Sequence, residues 1–122
     1  MPLTTIPIID TQTRTATIAI STSLSAAIAL PPGWYPAAIL MPAAWTAADL
    51  TFQLSLDGTT FADLYDDAGT EVTAKAAAAR YITLDPLEFR TARAIKLRSG
   101  TAASAVNQEA ARTLILVLRP TQ

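Results

Sequence analysis

The densest group of titratable side chains in this sequence is Asp63, Asp66, Asp67 and Glu71. Two carboxylates at a suitable separation are the minimum for acid–base work of the glycosidase kind. These four sit in and beside the turn-like stretch ADLYDDAGTE, where aspartate is favoured because its carboxylate accepts backbone N–H groups, so solvated turn residues are expected. Calcium also takes carboxylate and carbonyl oxygens from loops, but DDAGTE lacks the spaced ligands of an EF-hand. The chain has no histidine and no cysteine. That removes the commonest general base, the usual transition-metal ligands and the Ser-His and Cys-His nucleophile pairs. The four glycines stand singly in turns, with neither a P-loop nor a GxGxxG motif. The expectation is a protein that is not an enzyme and holds no metal or cofactor.

What remains is contact chemistry. Trp34, Tyr35 and Trp45 flank proline-rich turns, where aromatic rings stack on sugars, anchor a protein contact or simply cover the ends of a core. Arg90, Arg93, Lys96 and Arg98 form a local basic run, which strand alternation splits between two faces, giving a solvated or salt-bridged surface. Nine basic against ten acidic residues leave a net charge of −1, so the broad attraction that drives nucleic-acid binding is missing and no nucleic acid is expected as a partner.

Charge is also unevenly placed. Asp10 and Arg14 are the only charged residues before Asp49, and charged residues make up 16% of the chain against about 25% in a typical domain. A surface so poor in charge is expected to be covered in part by other chains. The 122 residues suffice for one domain with one core. Half the residues are apolar, yet no apolar run approaches the roughly 20 needed to cross a membrane, so a soluble chain with no membrane contact is expected. The opening MPLTTIP shows no basic stretch followed by an apolar one, and export by the Sec route is not expected.

The elements that must position these residues read as strands, because apolar residues recur with period two. Residues 1–12, with Pro2 and Pro7 among β-branched neighbours, suit an extended N-terminal arm and not a central strand. RTATIAIS (14–21) places Ala16, Ile18 and Ile20 on one face; SLSAAIAL (23–30) continues weakly to the turn Pro31-Pro32-Gly33. Residues 35–41 carry Ile39, Leu40 and Met41 in succession and predict burial on both faces. Leu50, Phe52, Leu54 and Leu56 alternate with Thr51, Gln53 and Ser55, predicting one core face and one wet face, and DGTT turns the chain back through FADLY as a hairpin. Residues 71–74 read as a short strand, the alanine run 75–79 as a helical turn and 80–84 as a strand. Asp85-Pro86-Leu87-Glu88-Phe89 reads as a one-turn helix with an aspartate cap that plugs one end. Residues 92–99 predict a half-exposed strand with Ile95 and Leu97 inward and Lys96 and Arg98 outward. Residues 112–119 predict a central or interface strand, with Leu114, Leu116 and Leu118 opposed to Ile115 and Val117. Short strands at this spacing predict an all-β protein: an antiparallel β-sandwich, jelly-roll or immunoglobulin-like, spanning residues 13–122 after the arm.

Three stretches, LMPAAWTAADLTFQLSLDGTTFADLYD (40–66), LDPLEFRTARAIKLRSGT (84–101) and AARTLILVLRP (110–120), resemble short virion-associated proteins of tailed bacteriophages and prophages. The resemblance covers roughly half the chain and brings no catalytic or binding motif with it. It implies a virion structural protein assembled in the host cytoplasm, first of all a capsid decoration (cement) protein whose partners are the major capsid protein and copies of itself. A tail or neck component is the neighbouring possibility. LTFQLSLDGTTFADLYD, RYITLDP and AIKLRS also resemble discoidin or galactose-binding sandwich domains, which implies a carbohydrate-binding or adhesion module of a tail tip or fibre. Candidate interface residues are Ile6 and Ile8 in the arm, the aromatics Trp34, Tyr35 and Trp45, and Ile115 and Val117 on the last strand.

Overall fold

The computed structural model describes residues 10–120. It contains eight strands: β1 (Gln12–Ile18), β2 (Ile28–Ala29), β3 (Trp34–Leu40), β4 (Leu50–Ser55), β5 (Ala62–Asp63), β6 (Tyr81–Thr83), β7 (Ala94–Ser99) and β8 (Arg112–Pro120). They form two four-stranded antiparallel sheets, β1-β8-β3-β6 and β2-β7-β4-β5. The pairs β1–β8, β2–β7, β3–β6 and β4–β5 are nested like one long hairpin rolled over on itself, and β8–β3 and β7–β4 close the roll. That is the jelly-roll form of the β-sandwich. An immunoglobulin-like order, in which consecutive strands share sheets as ABED and CFG, is excluded.

The core lies between the sheets. Ile18, Ile39, Leu114, Leu116 and Leu118 from the first sheet meet Leu50, Phe52, Ile95 and Leu97 from the second, all with no measurable exposure. Period-two alternation on β8 and β7 does this directly, since every second residue points inward. Phe89 closes one end, its ring meeting Phe52 edge to face with centroids 5.0 Å apart. It follows a one-turn 3₁₀ helix, Pro86–Glu88, whose cap Asp85 accepts from the Leu87 N–H as expected. The plug itself is the residue after the turn, because none of the three turn residues is buried.

Several expectations need correction, each for a local reason. β1 begins at Gln12, which pairs with Leu118, one residue before the expected start of the sandwich; residues 1–9, which hold most of the expected arm, lie outside the described residues. β1 stops at Ile18, since Thr22 N–H donates to Ala19 O and Ser21 takes φ +63°, so Ile20 ends up exposed and off the core face. Leu56 is likewise exposed, because β4 ends at Ser55, whose Oγ starts the turn by accepting from Gly58 N–H. Leu40 is exposed on the outer surface, so only one face of β3 is deeply covered at that point, by Ile39 and Met41. The alanine run 75–79 forms no helix; Ala79 N–H donates to Pro42 O and Met41 N–H to Arg80 O, which draws the run alongside the end of β3. Residues 71–74 contribute only isolated bridges, Tyr65 to Glu71 and Leu50 to Ala74.

Gly100 ends β7 at φ +89°, and a Cβ placed there would lie 2.5 Å from Ser104 O and 2.7 Å from Val106 N, both backbone atoms. Gly69 has a similar φ of +83° but open space around it. Gly69→Ala is therefore expected to cost roughly 1–2 kcal/mol, the strain of the left-handed conformation alone. Gly100→Ala should add an overpacking cost of roughly 1–3 kcal/mol to that. Urea titrations of the two variants check the difference.

Candidate functional site

Each sheet has an outer face, and the two differ in kind. On the first sheet, residues that alternate with the core positions fall into two rows across all four strands. One row is Thr13, Val117, Ala38 and Thr83; the next is Thr15, Ile115, Leu40 and Tyr81. Neither row contains a charged side chain. Leu40 and Tyr81 are among the exposed large apolar residues, at 38% and 60%, and Ile115, on the other side of Leu40, and Val117 are half-buried. The next outward position along β8 is Arg119, opposite Tyr35, and it donates to Asp10 O at 3.1 Å. A four-strand surface of threonine, aliphatic and tyrosine side chains can exclude water from a partner without desolvating any ion.

The second sheet's outer face is closed by its own ions. Arg98 lies on the outward face and is salt-bridged, one of the two outcomes expected for the basic run, but it is only 7% accessible, so the half-exposed strand is dry at this position. Its guanidinium lies across Thr51, with Nε donating to Thr51 Oγ1 at 3.0 Å, Nη1 to Asp63 Oδ1 at 2.7 Å and Nη2 to Glu71 Oε2 at 2.9 Å. Thr51 donates in turn to Gly100 O at 2.7 Å, and Glu71 Oε2 accepts from Ala102 N–H at 3.0 Å. The face of β4 expected to be wet is thus dry at Thr51 and Ser55. Asp63 and Glu71 are not merely solvated turn carboxylates: they hold a buried cation, and the Arg98 guanidinium, with Gln53 beside it, keeps the Asp63 carboxyl below its ordinary range. Asp66 does behave as a turn residue, accepting from Ala68 and Thr70 N–H groups. Among the described residues no group of three or more potential ligands converges on a metal position.

The aromatic candidates do not form one platform. Trp34 and Tyr35 begin β3 at one end of the sandwich; Trp45 follows β3 at the other end, where its indole N–H donates to Ala48 O at 2.9 Å. That far end is pinned by Gln108, fully buried, whose Nε2 donates to Thr46 O and Ser99 Oγ and whose Oε1 accepts from Thr46 N–H and Arg112 Nε. Beside Trp34 lies a groove of about 560 Å³, lined by Ala29, Pro31, Trp34 and Ala92, with Arg90 and Arg93 on its rim. The Arg90 guanidinium stands over the Tyr35 ring, 5.6 Å from its centroid. Asp57 also borders the groove, but its carboxylate is engaged by the Thr60 and Thr59 N–H groups and by Ser55 Oγ, which hold it well below the usual carboxylate range.

Of the residues singled out from the sequence, Ile115 and Val117 are brought together on the uncharged face, Trp34 and Tyr35 share the groove end, and Trp45 stands apart. Ile6 and Ile8 lie outside the described residues. Leu40, Tyr81 and the threonines of β1 were missed as partners of that face. The signal for the threonines was present in the alternation TRTAT, but the register that sets them beside Ile115 comes only from pairing strands 100 residues apart in sequence.

Stripping the buried guanidinium of one partner, as in Glu71→Ala, is expected to cost about 3 kcal/mol. The pH dependence has a definite sign. Asp63 and Asp57 are depressed in the fold, so their contribution is present above the unfolded value of 3.8 and lost as pH falls through the lower folded values. Glu88 works oppositely: burial raises it, with Asp85 and Asp66 adding to the effect, so its contribution is fully present below its unfolded value of 4.5 and lost as pH rises through the folded one. The melting temperature should fall below about pH 4, and Asp63→Asn, measured by calorimetry across that range, should flatten the fall. No protein-family model matches this chain, and no curated protein matches it either.

Proposed function

We propose that this chain is a structural protein of a tailed-bacteriophage particle, and within it a capsid decoration protein that binds the major capsid protein and neighbouring copies of itself. The observation that carries the reading is the uncharged outer face of the first sheet, where Leu40, Tyr81, Ile115 and Val117 stand among threonines. Such a surface adheres by burying apolar area without an ion-desolvation cost, and repetition over a lattice makes modest contacts effective. The resemblance of residues 40–66, 84–101 and 110–120 to small phage proteins supplies the context. Fold alone does not, since jelly rolls serve capsids, lectins and enzymes alike.

A second reading, a carbohydrate-binding adhesion module at a tail tip or fibre, is favoured by the groove beside Trp34 with its two rim arginines. The two readings separate by location. Cryo-electron microscopy of the particle purified from its source should place the chain on the head shell; density at the tail alone would favour adhesion, and glycan binding abolished by Trp34→Ala would then be the expected result. For the decoration reading, Leu40→Glu should weaken binding to purified shells at least about tenfold, because it buries an unpaired carboxylate. Leu56→Glu, at an exposed position outside the face, should leave binding unchanged.

A further inference from the structure

We propose that β1 pairs antiparallel, side by side, with β1 of a second copy of this chain, joining the two first sheets across a two-fold axis at Thr15. Among the described residues β1 pairs on one side only, with β8. Its seven residues keep one unbroken register against β8, from Gln12↔Leu118 to Ile18↔Arg112. Border strands that stay single are guarded by proline, lysine, a bulge or short length. QTRTATI has none of these guards. Its one charged residue, Arg14, turns along its own strand, donating to Thr13 O at 2.9 Å and to Gln12 Oε1 at 3.0 Å. The opposite border of the same sheet, β6, is guarded by its length of three residues.

The strand is complementary to itself, which is what selects a second copy as the occupant. In an antiparallel pair the residues directly opposite share a face, and a two-fold axis makes each pairing reciprocal. The axis could fall at Arg14, Thr15 or Ala16. At Arg14 it would oppose two guanidinium groups, and like charges directly opposite are destabilising. At Ala16 it would leave Gln12 and Thr13 facing positions beyond Ile18, where the chain has already turned away. At Thr15 all seven residues find partners: Gln12 meets the partner's Ile18, Thr13 the partner's Thr17, Arg14 the partner's Ala16, and Thr15 its own copy. The exposed positions Thr13, Thr15 and Thr17 then meet only threonines, a favourable cross-strand pairing, and no ion is opposed to another. The outer row Tyr81, Leu40, Ile115 and Thr15 runs on into the same row of the second copy, uncharged throughout. A strand of unrelated sequence would gain the backbone bonds but not this matching. The inference concerns the chain in solution and stands apart from the particle reading.

The full chain is measured by sedimentation equilibrium. The expected species is a dimer, which Thr15→Lys weakens at least about tenfold by setting two lysines opposite each other. Thr83→Lys, exposed on the same outer face but on β6, leaves the dimer unchanged. A chain that stays monomeric at about 100 μM, where a contact of micromolar Kd is nearly saturated, would overturn the proposal and leave a shell contact through Leu40 and Tyr81 as it stands. A dimer indifferent to Thr15→Lys would overturn it too. The register is read with introduced cysteines, since the chain has none of its own. Thr13→Cys mixed with Thr17→Cys should oxidise chiefly to the mixed dimer. Thr13 faces the partner's Thr17, whereas two copies of Thr13 stand four residues, about 13 Å, apart along the strands, too far for a disulfide. A statistical mixture of the three possible disulfide dimers would overturn the pairing.

Discussion

β8 is bonded on both edges, to β1 on one side and β3 on the other, and it comes from the end of the described chain. Until residues 112–120 are in place the first sheet has no centre, and β1 and β3 have no partner they share. The nested pairing makes this a constraint on the whole molecule: each pair, from β4–β5 outward to β1–β8, closes a longer stretch of chain than the last. Closing long loops costs entropy that only the later contacts repay, which places this fold among slow, cooperative folders. The order of assembly that costs least begins at the β4–β5 hairpin, where Ser55 and Asp57 fix the turn through local hydrogen bonds, and works outward.

Two buried polar networks reinforce that closure. Arg98 of β7 ties β4 and β5 to the segment around Glu71, and Gln108 ties the loop after β3 to the loop before β8. Both act between parts of the chain that are far apart in sequence, and both are saturated: among the described residues no buried side-chain nitrogen or oxygen lacks a partner. A fully satisfied buried network costs little and specifies one arrangement, whereas a half-satisfied one would penalise the fold.

How far the sequence could be read follows from this distinction between local and remote causes. Strands with clean alternation, β4, β7 and β8, were legible, as were the hairpin after β4 and the Asp85 cap, because each depends on neighbours within a few residues. The outward direction of Arg98 was legible, but its burial was not, because that depends on Asp63 and Glu71, which lie 35 and 27 residues away. Thr51 followed it, since a threonine under a guanidinium looks like any solvent-facing residue. The alanine run at 75–79 has helix propensity, but its backbone hydrogen bonds to Pro42 and around Met41 prevailed. For the candidate site, Ile115 and Val117 could be named from their two-sided strand. That they share rows with Thr15 and Thr13 required the register.

The strands at the borders of the two sheets are unequal. β2 and β5 have two residues each and β6 has three, whereas β1 has seven. A border of two or three residues offers too few free backbone groups to template a further strand, so among the described residues only β1 presents a long edge. Through the described residues, one long edge can join a sheet to one other and then leaves none to offer. Sheet-by-sheet growth into a fibre needs two competent edges per copy, and the described residues offer one, a restraint set by strand length in a chain rich in threonine, isoleucine and leucine and poor in charge.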